Sequence, residues 1–147
     1  MAKILYSAPL KALSQEKYED WTKLFPDKKI LQLTGDTLTS QKIRMEMMKA
    51  AETADILIMT AELLDSITRN HYSEHYQWVK HVQLLVVDEA HGVTMEGRGH
   101  VIEASIMRFC EIAPQAKVWF MSATMPNCEE FAQWLTTLNH KPSEIIN

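Results

Sequence analysis

The feature that most constrains this chain is a pair of apolar runs that each stop at a small polar cluster. Leu84-Leu85-Val86-Val87 runs into Asp88-Glu89-Ala90-His91, and Val118-Trp119-Phe120-Met121 runs into Ser122-Ala123-Thr124. An uninterrupted apolar run of that length suits a strand buried on both faces, the usual condition of strands in a parallel sheet. Open α/β sheets place their ligand chemistry in the crevice beyond the carboxyl ends of such strands. Asp88 and Glu89 are therefore expected together at a strand tip, Asp88 able to hold a magnesium ion and Glu89 to orient or deprotonate a water. That is the acidic half of a nucleotide-hydrolysis site. The phosphate-gripping half is a glycine-rich loop of the form G-x-x-x-x-G-K-[ST] (Walker A). No segment of the chain supplies it, since none of Gly35, Gly92, Gly97 and Gly99 opens a G-K-S or G-K-T.

The rest of the pattern alternates in the same sense. Strands are expected near Ile4 to Ser7, Ile30 to Thr34, Ile56 to Thr60, Leu84 to Asp88 and Val118 to Ser122. Between them, Leu10, Leu13, Lys17, Trp21 and Leu24 recur at helical intervals, with Ser14, Gln15 and Glu19 on the other side. Thr39 or Ser40 caps a helix to about Ala51, Ala61 to about Arg69 is a short helix, and Val101 to about Ile112 a longer one. Asn127 caps the helix through Leu138, and Pro114 stops the one before the last strand. Strand and helix in repeated alternation predict a mostly parallel sheet with helices on both faces. Asn70 to Lys80 reads as either helix or loop; His71 and His75 stand at the i, i+4 spacing of metal ligands, but no third ligand accompanies them.

With 147 residues and 46% hydrophobic content, the chain is expected to form one domain with a sizeable core. It has no apolar stretch long enough for a membrane span and no signal-peptide pattern, so an intracellular location, cytoplasmic or nuclear, is expected. Cys110 and Cys128 lack metal-ligand spacing and are read as inert core thiols. Trp119 and the nine methionines are likewise read as packing residues. The net charge of −4 argues against a strongly electrostatic nucleic-acid binder, yet it is unevenly spread. Residues 1–50 hold nine Lys and Arg against six Asp and Glu, whereas residues 51–147 hold six against thirteen. Such a division suits a protein that meets phosphates along one edge.

Each motif taken alone has a plainer reading. Asp88 and Glu89 can solvate a loop, Ser122-Ala123-Thr124 can be a capping turn before Pro126, and Lys11 can be a solvated helix-start lysine. Taken in order they say more. Ala8-Pro9-Leu10-Lys11-Ala12-Leu13, Thr34-Gly35-Asp36, Thr60-Ala61-Glu62-Leu63-Leu64-Asp65, Val87-Asp88-Glu89-Ala90-His91, Arg98-Gly99 and Ser122-Ala123-Thr124-Met125-Pro126-Asn127 follow one another from Ile4 to Leu138. This series resembles the first RecA-like domain of superfamily 2 (DEAH/DExH) helicases. It is most similar to the group of superkiller-type RNA helicases and archaeal repair helicases.

The resemblance implies a three-layer RecA-like fold of the P-loop NTPase type and roles by position. Asp88 would be the magnesium-binding acid and Glu89 the catalytic acid of motif II, with His91 its coupling residue. Ser122 and Thr124 would form motif III, beside the nucleotide and coupling its hydrolysis to strand movement. Pro9, Leu10 and Lys11 of motif Ia, Gly35 and Asp36 of a motif Ib-like turn, and Thr60 and Glu62 of the next motif would follow the backbone of single-stranded DNA or RNA. Contacts of this kind position a strand without reading its bases.

Ala61 departs from the group's pattern, standing where proline is usual, and is expected to loosen the turn after its strand. The adenine-reading segment and the Walker A strand and loop would lie upstream of Met1, and the second RecA-like domain beyond Asn147. The expectation is therefore a partial N-terminal helicase ATP-binding domain over 1–147, using ATP and Mg2+ only with a complementing segment or second polypeptide, and inactive alone. Two alternatives stand beside it: a non-catalytic module that binds nucleic acid or a helicase partner, and a decayed gene product. Loss of the Walker A strand would also leave Val118 to Ser122 as a sheet edge.

Overall fold

The structure, a computed structural model, describes residues 2–35, 40–94, 97 and 99–146. Five parallel strands form one sheet in the order β2-β3-β1-β4-β5. They are β1 (Lys3–Ala8), β2 (Ile30–Leu33), β3 (Ile56–Thr60), β4 (Val82–Asp88) and β5 (Lys117–Met121). The helices are α1 (Lys11–Leu24), α2 (Gln41–Thr53), α3 (Ala61–Arg69), α4 (Gly99–Ile112) and α5 (Cys128–Asn139). The uncertain segment before β4 resolves into a turn followed by a 3-10 helix, Glu74–His81, so His71 and His75 do not share one α-helical face.

Two apolar clusters glue the layers. On one face Leu5, Leu57, Leu85 and Val118 meet Met48 of α2, Leu64 of α3, Phe109 of α4 and Leu135 of α5. On the other, Tyr6, Ile56, Ile58 and Val86 meet only α1, through Leu13, Tyr18 and Trp21. This is the three-layer arrangement of a RecA-like P-loop NTPase; among the described residues four α-helices lie on one side of the sheet and one on the other. The central strands β1, β3 and β4 are therefore apolar on both faces, which is why they read as continuous runs.

Local signals account for the helix ends. The Ser40 hydroxyl accepts from the Ile43 N–H at 3.2 Å and starts α2; Thr39 lies outside the described residues. The Thr60 hydroxyl accepts from the Leu63 N–H, so the turn around Ala61 is closed by a cap, and Ala61 itself is buried. Glu62 in the first turn of α3 and Arg69 in its last complement the helix dipole. Asn127 occupies the position before α5, but its side chain makes no capping bond.

Several expectations about exposure need correction. Ser14 lies on the inward face of α1, fully buried, donating to the Lys11 carbonyl at 2.8 Å and accepting from Gln32 Nε2 at 2.9 Å. Leu10 and Leu24, read as inward, are exposed at the two ends of α1. Cys110 is buried, and burial pushes its thiol up to about 11, whereas Cys128 is only half-buried at the start of α5. Met48 and Met59 are core residues, but Met45, Met107, Met121 and Trp119 are exposed.

Trp119 and Met121 share a cause. They point to the face that carries α1, and that helix packs mainly over β1, β2 and β3, reaching β4 only at Val86 and Leu84 and leaving β5 uncovered. The far side of β5 is also the sheet edge among the described residues. An apolar, uncovered edge invites pairing with another chain. The isolated chain is expected to self-associate, with a sedimentation coefficient that rises with concentration. A monomer at every concentration with a sharp, reversible melt would contradict this.

Candidate functional site

The carboxyl ends of all five strands form one rim, and the register fixes what stands beside what. Ala8 is level with Thr60, Leu33 with Met59, and Asp88 with Met121. Across the sheet the rim carries Gly35 after β2, Thr60 and Glu62 at β3, and Pro9, Leu10 and Lys11 after β1. Asp88, Glu89 and His91 follow at β4, and Ser122 and Thr124 after β5. The residues read as strand-contacting thus gather on three neighbouring strands, and the acid pair and hydroxyls on the other two. Asp36 and Arg98 lie outside the described residues.

The acid end is wired together. Asp88 closes β4; its Oδ1 accepts the Glu89 N–H at 2.8 Å, and its Oδ2 accepts the hydroxyl of Tyr6 from β1. Glu89 follows with φ 52, a left-handed conformation uncommon outside glycine. Its Oε2 lies 3.1 Å from His91 Nδ1, which is also 2.8 Å from Ser122 Oγ. The Ser122 hydroxyl donates to the Thr124 carbonyl at 3.0 Å, so its oxygen is left to accept. This assigns the proton to Nδ1 of His91, shared between Glu89 and Ser122. One imidazole therefore joins the acid after β4 to the hydroxyl after β5. Thr124 contributes its carbonyl here, and its side chain is exposed.

A cleft of about 350 Å³ opens beside this cluster, lined by Pro9 and Leu10 from the β1 turn and by Asp88, Glu89 and His91. The acid pair and the β1 turn therefore face one hollow. A larger open groove of about 660 Å³ lies between α2 and the 3-10 helix and shares no residue with any of these motifs.

Tyr6 is the residue that sequence reasoning missed. It sits in an apolar run and reads as core, and it is indeed 3% exposed, yet its hydroxyl reaches the acid. Burial first, and then the bond to Asp88, push its phenol well above the usual tyrosine range, so it remains a donor.

Magnesium held with a nucleotide needs only one or two protein carboxylates, the rest being phosphate and water. Asp88 fits that demand: a hard oxygen donor at a strand tip, each oxygen with one protein partner and a lone pair to spare. Among the described residues, no three His, Cys, Asp or Glu side chains cluster as a closed metal cage. Nor is any helix there long and apolar enough to cross a membrane.

Comparison with known proteins matches this chain to a family. The model of the DEAD/DEAH box helicase family matches residues 1–131. The chain is 34% identical over 147 residues to the ATP-dependent DNA helicase MER3 of Saccharomyces cerevisiae, an alignment covering 99% of this chain and 12% of that one. To the DExH-box ATP-dependent RNA helicase DExH9 of Arabidopsis thaliana it is 31% identical over 145 residues, covering 98% of this chain and 13% of the relative. In fold it is similar to the DUF1998 helicase MrfA in a crystal structure bound to DNA and AMPPNP, with TM-score 0.74 and 24% identity, covering 99% of this chain and 20% of that one. The chain thus spans roughly an eighth of the length of these two curated relatives.

Proposed function

The chain belongs to the DEAD/DEAH box helicase family, and from that premise we propose that it forms part of an ATP-dependent DNA or RNA helicase motor. In this reading residues 1–147 are the portion of the N-terminal RecA-like domain from motif Ia to motif III. The order of the A-P-L-K-A-L, D-E-A-H and S-A-T-M-P-N segments supports a place in the superkiller-type and archaeal repair group.

The observation that carries the reading is the position of His91 Nδ1, 3.1 Å from Glu89 Oε2 and 2.8 Å from Ser122 Oγ, which ties the β4 tip to the segment after β5. Asp88 would hold the magnesium ion of bound ATP; the nucleotide would supply the electrophilic phosphorus and the ion the charge neutralisation. Glu89 then orients and deprotonates the attacking water, held in place by His91. His91 and Ser122 pass the state of the acid pair to the segment after β5, a local change with a distant readout. Pro9, Leu10, Lys11, Gly35, Thr60 and Glu62 guide a single strand along the other part of the rim, and Asp36 shares the motif of Gly35 by sequence.

The glycine-rich phosphate loop and the second RecA-like domain come, in this proposal, from a further segment or polypeptide, for which the uncovered edge of β5 is the seat. Reconstitution tests it. Mixed with a polypeptide bearing both elements, the chain should hydrolyse ATP and do so faster with single-stranded nucleic acid. No hydrolysis with any such partner would remove the motor reading.

Strand binding gives a separate expectation. Lys11→Ala should weaken binding to single-stranded DNA or RNA and flatten the plot of log affinity against log salt by about 0.7, the share of one neutralised phosphate on a single strand. Fluorescence anisotropy between 50 and 200 mM salt measures it. An unchanged slope would take Lys11 off the strand path.

A further inference from the structure

The carboxylate of Asp88 is aimed by more than its own strand. Its Oδ2 takes the hydroxyl of Tyr6 and its Oδ1 the Glu89 N–H. An ionised carboxylate only accepts, so the tyrosine is the donor. Tyr6 is level with Val86 on the neighbouring strand. Two residues further along β4, about 6.6 Å, brings the same face to Asp88, which places that acid within reach of the phenol hydroxyl. The ring has little freedom to leave: it is buried, and Trp21 of α1 meets it edge-on with centroids 5.0 Å apart and planes at 78°.

We propose that Tyr6 is a positioning residue for the metal-holding acid: its hydroxyl fixes the Asp88 carboxylate so that the remaining lone pairs face the rim. This rests on the reading of Asp88 given above. A carboxylate offers about four acceptor sites. The two protein donors occupy one on each oxygen, leaving one on each for a metal ion or its water. Partners of this kind orient ligands, and their removal typically lowers metal affinity or activity by about 10–100-fold.

Tyr6→Phe keeps the ring and its contact with Trp21 and removes only the donor. The probe is Mn2+ in the presence of ATP, with bound Mn2+ read by electron paramagnetic resonance against an ATP-only blank, on the chain mixed with the polypeptide bearing the phosphate loop and the second RecA-like domain, its Tyr6→Phe and Asp88→Asn variants, and the double variant. Tyr6→Phe should lower Mn2+ affinity by about tenfold or more, with the melting midpoint unchanged. The double variant should bind no more weakly than Asp88→Asn alone, because Tyr6 acts only through Asp88.

Wild-type affinity in Tyr6→Phe alongside a loss in Asp88→Asn would overturn the role of Tyr6 and leave Asp88 as the metal acid. Losses that multiply in the double variant would also overturn it. Undiminished Mn2+ binding in Asp88→Asn would remove both readings. A second measurement needs no variant: Mn2+ and ATP added to the unaltered chain in the reconstituted motor should broaden the nuclear magnetic resonance signals of the Tyr6 ring before those of Tyr18, Tyr72 and Tyr76. Equal broadening of all of them, or none, would overturn the proposal.

Discussion

Replacing Glu89 with glutamine is expected to reduce ATP hydrolysis in the reconstituted motor by about 10²–10⁴-fold, the usual worth of a positioned general base. The amide nearly matches the carboxylate in shape and its oxygen can still accept from His91, but it cannot take a proton from water. Glu89 is partly exposed, so stability should stay within about 0.5 kcal/mol of the unaltered chain. Phosphate release and thermal melting, measured on the same preparation, separate the two effects. A glutamine variant with full turnover would place the base elsewhere.

The second large effect is on folding, at the opposite end of the sheet. Lys3 is 7% exposed, and its ammonium donates to the carbonyls of Ala51 at 2.6 Å, Ala54 at 2.7 Å and Glu52 at 3.3 Å. Those carbonyls close α2, whose own last turn has no basic residue. A lysine from β1 thus supplies the positive charge and the hydrogen bonds that a helix C-terminus requires. Lys3→Met fills the same space but orphans the acceptors, at about 1–3 kcal/mol for each one left buried.

Relief of the buried ammonium offsets part of that loss. A net destabilisation of about 3 kcal/mol is expected, lowering the melting midpoint by about 6–12 °C. Burial also lowers the Lys3 pKa from 10.5, so below that value the folded chain sheds this proton before the unfolded chain does. Between the lowered value and 10.5 the unfolded state binds more protons, and this group makes stability rise with pH. Lys3→Met should remove that rise; a melting midpoint unmoved by the substitution would show that water satisfies the carbonyls instead.

Lys3, Tyr6 and Ser14 illustrate where a linear reading stops. The strands were legible because burial on both faces leaves an apolar run with no alternation. α3 was legible over its full length because Thr60, Glu62 and Arg69 mark its ends locally. The acid pair was legible because polar residues directly after such a run stand at the strand tip. The three side chains instead have partners that only topology supplies: Tyr6 and Asp88 are 82 residues apart and Lys3 and Ala51 are 48 apart. Ser14 reads as solvent-facing from its polarity alone, whereas its partner Gln32 lies 18 residues away in sequence and is brought to it only by the fold. The segment before β4 mixed aromatic and polar residues with no clear period, and a 3-10 helix, which repeats every three residues, leaves just such a pattern.

The backbone at Glu89 has a consequence of its own. Successive side chains on a strand leave on opposite sides, so a straight continuation of β4 would send residue 89 away from residue 88, across the thickness of the sheet. The left-handed corner at φ 52 cancels that alternation and lets two adjacent acids border one hollow. For any residue with a Cβ such a corner costs about 1–2 kcal/mol over the right-handed form. Glycine would relax it and be chemically mute, and a β-branched residue would resist it further. The chain therefore holds a small mechanical tension at the single peptide where its two acids meet.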